Sequence, residues 1–174
     1  MSWKIFEEHA PTMATLGVER LNRKIAYLST LRKDGSPRLH PITPFIGNGM
    51  LFMFTEPSSP KIRDLQRDGR YALHCSVDRK EGEPLIEFLV YGMAKVVNNM
   101  TVRRQVAAEI AASPVVTSEY ILFEFHVNDV LVVEYDCDGE RTIRHWHSPA
   151  FNMDKQTISA EGCAGVVEVV EGQK

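Results

Sequence analysis

No stretch of this sequence approaches the roughly 20 apolar residues a helix needs to span a bilayer, and the opening MSWKIFEEHAPT lacks the basic-then-apolar pattern of a signal peptide. Membrane insertion and export are therefore not expected, and the expected location is cytoplasmic. Basic runs are missing too. Twenty Lys and Arg stand against 23 Asp and Glu, a formal charge of −3, and the isoelectric point is near 6.1. Such a chain has no general attraction for nucleic acid or for an anionic membrane surface. Cysteine is scarce: Cys75, Cys137 and Cys163 are odd in number and widely spaced, which fits reduced thiols better than a disulfide framework. Cys75, inside a strand-like run, reads as a small core residue. There is no G-x-S-x-G elbow, no Rossmann fingerprint and no P-loop. His40, His74, Cys75, His145 and His147 form no pair of pairs of the kind zinc sites use, so no metal site is expected. Internal repeats and low-complexity segments are absent.

What is present is an ordinary single-domain composition, 174 residues of which 44% are apolar and 25% charged, enough to bury a core. The expected division is one domain over residues 1–147, with 148–174 a weakly patterned C-terminal extension, packed on it or partly flexible, that holds a short strand near Val166 to Val170. The stretch from Ile25 to Gly69 organises the rest. Three strand-like runs, IAYLSTL, RLHPITPFI and MLFMFT, are separated by Asp34-Gly35 and Asn48-Gly49, pairs that take positive φ cheaply and reverse the chain between antiparallel strands. The first run is apolar on both faces and is expected to be covered on both sides. Pro41 and Pro44 cannot donate to a ladder, so the second must lie at an edge or a bulge. Ser58, Ser59, Pro60 and Lys61 then open a helix over residues 60–68, where the unpartnered first amides sit beside a hydroxyl and an ammonium. An anion can sit there.

Flanking segments complete the pattern. Residues 3–22 have a loose helical spacing broken by Pro11 and Gly17, and residues 101–112 read as a helix that stops at Ser113-Pro114. RYALHCSV and LIEFLVYGMAKVVN alternate as strands, the latter with Gly92 and Ala94 adjacent in one row, where something can approach closely. ILFEFHV and VLVVEYD read as two strands reversing at Asn128-Asp129, and GERTIRHWHSP as a segment rich in side chains able to bind. Six or seven mostly antiparallel strands with a short helix after the third and a longer one after the fifth make a mainly β protein. A small closed or split barrel buries such strands while hiding their edges.

The run IAYLSTLRKDGSPRLHPITPF, followed by LFMFTEPSSPKIRDLQRDGRYALHC and VYGMAKVV, resembles the pyridoxamine 5'-phosphate oxidase-like proteins with the FMN-binding split-barrel fold. The likeness covers about residues 20–147 and is most specific in the DGSPR-x-x-P turn and strand and in the S-x-K-x-x-x-L helix start. It implies a homodimer with FMN at the interface. Carried onto this chain, it implies that Arg38, Thr55, Ser59 and Lys61 hold the phosphate, and that the flavin ring runs along the backbone of Leu39, His40, Pro41 and Phe54. His40 could touch the flavin's polar edge or simply bond a nearby carbonyl. Trp146, within His145-Trp146-His147, falls in the segment that covers cofactor and substrate in the true oxidases. Arg144-His145-Trp146-His147 departs from that segment's tryptophan-arginine order, so the substrate does not carry over. Without the likeness, Ser59 as an N-cap, Lys61 as a solvated charge and Arg38 as a surface charge account for the same residues.

The function expected from this is an FMN-dependent oxidoreductase acting on a small molecule at a dimer interface, with no residue singled out as acid, base or nucleophile. Two alternatives stand beside it. One is a reductase that uses the deazaflavin F420, its anionic tail near Arg32, Lys33 and Arg38. The other is a flavin- or haem-binding module without turnover, with His74 or His126 as haem ligand, each of which reads as readily as a strand histidine with an ordinary partner.

Overall fold

The computed structural model describes residues 1–77, 82–111, 114–137, 139–149 and 166–169. Most of the C-terminal extension, including Cys163, lies outside them.

The N-terminal segment forms two helices, α1 (Trp3–His9) and α2 (Pro11–Leu21). Ser2 caps the first by accepting from the Ile5 amide at 3.3 Å, and Pro11 takes the first position of the second, where its missing N–H costs nothing. Four strands follow, β1 (Ala26–Leu31), β2 (Pro37–Ile42), β3 (Phe45–Gly47) and β4 (Met50–Thr55), then α3 (Pro60–Arg67), β5 (Arg70–Cys75) and β6 (Leu85–Val96). The chain continues through α4 (Met100–Glu109), α5 (Pro114–Glu119), β7 (Ile121–Tyr135), β8 (Arg141–His147) and β9 (Val166–Val169). Both expected turns form: Gly35 has φ +83°, and Asn48 and Gly49 have φ +50° and +70°.

Seven strands follow one path, β2-β1-β5-β6-β7-β4-β3, with β8 added on β7 and β9 on β8. Every pairing is antiparallel except β8 with β9. The strands β2 and β3 occupy opposite ends of that path, yet only Thr43 and Pro44 separate them in sequence. Three Cα steps reach at most ~11 Å, so the sheet must curl until its two edges meet at this corner. The fold is a split barrel. Its core holds Leu28, Leu51, Met53, Leu73, Phe88, Val90, Phe123, Phe125 and Trp146, together with Trp3 and Phe6 of α1. A smaller cluster of Phe45, Phe52, Val106 and Leu122 lies under α4.

Three expectations need correction. The second strand-like run is split: β2 ends at Ile42 and β3 begins at Phe45, because Thr43-Pro44 is where the chain crosses between the edges. Within the single chain the first strand is fully covered on one face and only partly on the other. Ala26, Leu28 and Thr30 are buried, whereas Tyr27 is 41% exposed. The reversal at Asn128-Asp129 does not occur; β7 runs unbroken for 15 residues. Val127 pairs with Gly92 and Asp129 with Tyr91, so Asn128 is an extra residue in β7, a bulge rather than a turn. A Cβ on Gly92 would lie 1.8 Å from the His126 carbonyl oxygen. The small residue there admits the neighbouring backbone.

Candidate functional site

Arg38 and His40 alternate with Leu39 and Pro41 on β2, and the register with β1 decides where each points. Arg38 pairs with Thr30 and His40 with Leu28, both buried, so these two face inward toward α3; Leu39 and Pro41 pair with Ser29 and Tyr27 on the outer face. Because β2 pairs only with β1 among the described strands, one side of its backbone is free of ladder bonds. That is the edge the prolines imply.

The helix α3 starts beside them. Ser59 is its N-cap residue, but its side chain makes no capping bond and no acidic side chain stands in the first turn. Instead, Lys61 Nζ donates to Ser59 Oγ at 2.9 Å. The amide end of the helix keeps its partial positive charge, with a hydroxyl and an ammonium joined next to it. Burial lowers the pKa of Lys61 against the opposing pull of Glu56. One turn further on, Asp64 is buried and accepts from Arg38 Nε at 2.6 Å, Thr30 Oγ1 at 3.2 Å and Arg67 at 3.3 Å. Burial pushes its carboxyl upward, but the bonds from Arg38, Thr30 and Arg67 and the Arg38 charge outweigh that and hold it below the usual carboxylate range. Asp64 thus orients Arg38 through Nε and leaves the rest of the guanidinium fork for another acceptor.

His40 completes the cluster. Its Nε2 is buried without a hydrogen-bond partner among the described residues. Desolvation, then the positive charges of Lys61 and Arg38, lower its pKa, so the neutral ring is favoured. Thr55 ends β4 just before the turn in which the Ser59 amide bonds the Glu56 carbonyl at 3.0 Å. It is buried, and its Oγ1 is likewise without a partner among the described residues. Unpaired buried polar atoms are uncommon enough to ask what they await.

The structure therefore gathers Arg38, His40, Ser59 and Lys61, with Thr55 at the mouth of the same turn. Leu39 and Pro41 contribute backbone from the outer side of β2. The Phe54 side chain packs against the smaller cluster under α4, 5.9 Å from the Arg103 guanidinium. Trp146 is not part of this cluster. Its ring is fully buried in the barrel core, 4.9 Å from Phe6. Asp64 was not apparent from sequence; the signal was a carboxylate next to the apolar Ile62–Leu65 stripe of a short helix, a place no solvated charge would choose.

Beyond Arg38, a groove of about 670 Å³ is lined by Arg32, Lys33, Arg63 and Arg67, with Asp34 and Asp64 as the acidic members. An anion longer than one phosphate would find further positive charge there. The two histidines considered for haem have protein partners: His74 Nδ1 lies 2.6 Å from the Cys75 carbonyl, and His126 Nε2 2.8 Å from Glu124. No helix of the described residues is long and apolar enough to cross a membrane.

No family profile matches the sequence, and neither does any curated protein. Solved structures do. A candidate 5-nitroimidazole antibiotic resistance protein from Bacteroides thetaiotaomicron is similar with TM-score 0.58 and 14% identity over 72% of this chain and 83% of its own. A FAD-binding protein from Mesorhizobium loti matches with TM-score 0.51 and 15% identity over 70% of this chain and 94% of its own. A haem-binding protein from Mycobacterium smegmatis matches with TM-score 0.54 and 18% identity, over 64% of this chain but 49% of its own. What the chain shares with these proteins is the split-barrel fold.

Proposed function

We propose that this chain is an FMN-binding flavoprotein, a homodimeric oxidoreductase acting on a small molecule beside the cofactor. The observation that carries the reading is the start of α3, a helix end without a side-chain cap, with Ser59 bonded to Lys61, Arg38 held alongside by Asp64, and buried His40 Nε2 and Thr55 Oγ1 without partners among the described residues. These donors suit a phosphate dianion, whose charge-assisted hydrogen bonds are roughly twice as strong as neutral ones. That neighbours of this fold include FAD- and haem-binding proteins supports a flavin or haem over an unrelated ligand. The phosphate-suited donors at the start of α3 favour the flavin. Bound FMN would supply hydride or electron transfer; the chain's residues would fix the phosphate, offer the free backbone edge of Leu39 to Pro41 to the ring, and exclude water. The dimer finds support in the outer face of β1, β2, β5 and β6, where cross-strand neighbours leave Leu39 66%, Tyr27 41%, Met93 39% and Tyr91 37% exposed. An apolar sheet face of this kind asks for a partner.

The basic groove past Arg38 favours a second reading, in which the cofactor is F420 and its anionic tail lies along Arg32, Lys33 and Arg63. The visible spectrum of the purified protein, with the mass of any chromophore released by heat, separates the two. FMN's mass supports the first reading and a deazaflavin the second. A colourless protein that takes up neither on titration overturns both and favours a module without flavin chemistry. Replacing Arg38 and Lys61 together by alanine should lower FMN affinity by at least ~100-fold, since each charged hydrogen bond lost contributes about 1.5–3 kcal/mol. Unchanged binding by a folded double variant would remove the phosphate assignment.

A further inference from the structure

On the outer face of the sheet, remote in sequence from the phosphate cluster, Asp129, His145 and His147 bring three potential ligand atoms within 4.8 Å of one another. We propose that these residues bind one divalent transition-metal ion of the Zn²⁺ type, with a coordination position left open to solvent or to a small ligand.

The arrangement follows from two local features. Residues two apart on a strand share a face, so His145 and His147 project together from β8 while Trp146 between them is locked into the core and fixes the strand's rotation. On β7, the extra residue Asn128 shifts the alternation. Val127 and Val130 are buried, and Asp129 turns outward, directly opposite His147 in the β7–β8 register. The bulge is held from several sides. The Met1 ammonium donates to the Val127 carbonyl at 3.0 Å and the Asn128 side chain at 3.4 Å, and the Ser148 amide donates to the Asn128 carbonyl at 2.8 Å. Bulges that re-aim a side chain are a recurrent device at functional sites.

In the resulting cluster each carboxylate oxygen meets a different ring. Asp129 Oδ1 lies 2.7 Å from His145 Nε2, and Oδ2 lies 2.6 Å from His147 Nδ1, with the rings 3.9 Å apart between centroids. A tetrahedral ion with bonds of 2.0–2.2 Å would hold its ligands ~3.3 Å apart, so shifts of about an ångström convert the hydrogen-bonded triad to a ligand set. Two imidazoles and a carboxylate suit Zn²⁺, Co²⁺, Ni²⁺ or Fe²⁺, and not Ca²⁺ or Mg²⁺, which want oxygen ligands alone. Three protein ligands leave one position for water or another ligand. In the single chain the His147 side chain is 46% exposed and the Asp129 side chain 12%, so the ion would rest on a carboxylate already desolvated; Asp129 pairs with Tyr91 of the face proposed for dimerisation, so the open position would lie beside that contact. Sequence reading missed this site because it sought four His and Cys ligands, whereas the carboxylate joins only through the bulge.

The test is calorimetric titration of the full chain, stripped with a chelator, with ZnCl₂, together with the visible absorption of the Co²⁺ form. One ion per chain at micromolar affinity or tighter is expected, with Co²⁺ d–d bands of a four- or five-coordinate site. His147→Gln and His145→Gln should each weaken Zn²⁺ binding at least 10-fold and bleach or shift those bands. Circular dichroism and the urea midpoint establish that each variant is folded. Absence of saturable binding by the unaltered chain, or undiminished binding by both variants, overturns the site. Should a variant fail to fold, a Co²⁺ spectrum of the unaltered chain that shows six-coordinate, water-like bands overturns it as well.

Discussion

His40 carries a signature that a titration can read. In the folded chain, desolvation and the charges of Lys61 and Arg38 place its pKa below the ordinary value of 6.5. A histidine whose folded pKa is lowered resists protonation that the unfolded chain accepts, so stability is full above about pH 6.5 and declines as pH falls toward the folded pKa. A dianion seated between Lys61 and Arg38 would reverse the local field. His40 should therefore titrate below the usual histidine range by NMR in the free protein and shift upward when inorganic phosphate or FMN is added. A pKa that does not move with saturating ligand would put the anion elsewhere. The residue scale also explains the asymmetry in legibility here. Lys61 and Ser59 announce themselves by sitting at a helix start, whereas Asp64 is important only because β2 brings Arg38 against it.

At the scale of single elements, the beginning of α3 and the bulge in β7 make opposite predictions. Ser59 makes no side-chain capping bond, so Ser59→Ala should cost less than about 0.5 kcal/mol in urea denaturation, where the loss of a working cap costs about 1 kcal/mol. The same change should weaken phosphate-ligand binding. Loss of a full cap's worth of stability would show that the hydroxyl serves the helix and not a ligand. Gly92→Ala should be costly, about 2 kcal/mol or more, because the added carbon meets backbone rather than a side chain able to move. It should also disturb the bulge and with it the outward turn of Asp129. The strands, both hairpin turns and the helix before Gly69 were legible because each rests on local periodicity or turn chemistry. The bulge was not: Asn-Asp between two apolar runs is the chemistry of a reversal, and only pairing with β6 across 12 register positions keeps the chain straight.

For the whole molecule, the question is what covers the outer face of the sheet. If two copies bury it against one another, Leu39→Glu combined with Tyr27→Glu places desolvated charge at the centre of the contact. The expected outcome by sedimentation velocity is a dimer for the unaltered chain and a folded monomer for the variant, with FMN binding lost along with the interface. A monomeric unaltered chain would leave the exposed Leu39, Tyr27, Met93 and Tyr91 to some other partner and would move the cofactor reading onto one subunit's residues alone.

The sequence by itself determined the mainly β class, the turns at Asp34-Gly35 and Asn48-Gly49, the edge character of the proline-bearing strand and the start of α3 at Ser59 to Lys61. All of these depend on residues close together in the chain. Only the tertiary structure decided that Arg38 is oriented by Asp64, that Trp146 belongs to the core, that β1 is only partly covered on one face within the single chain, and that Asp129 meets His145 and His147. Each of those depends on strand order and register, quantities set by the closing of the barrel and the burial of its inner rows, which no short window of sequence contains.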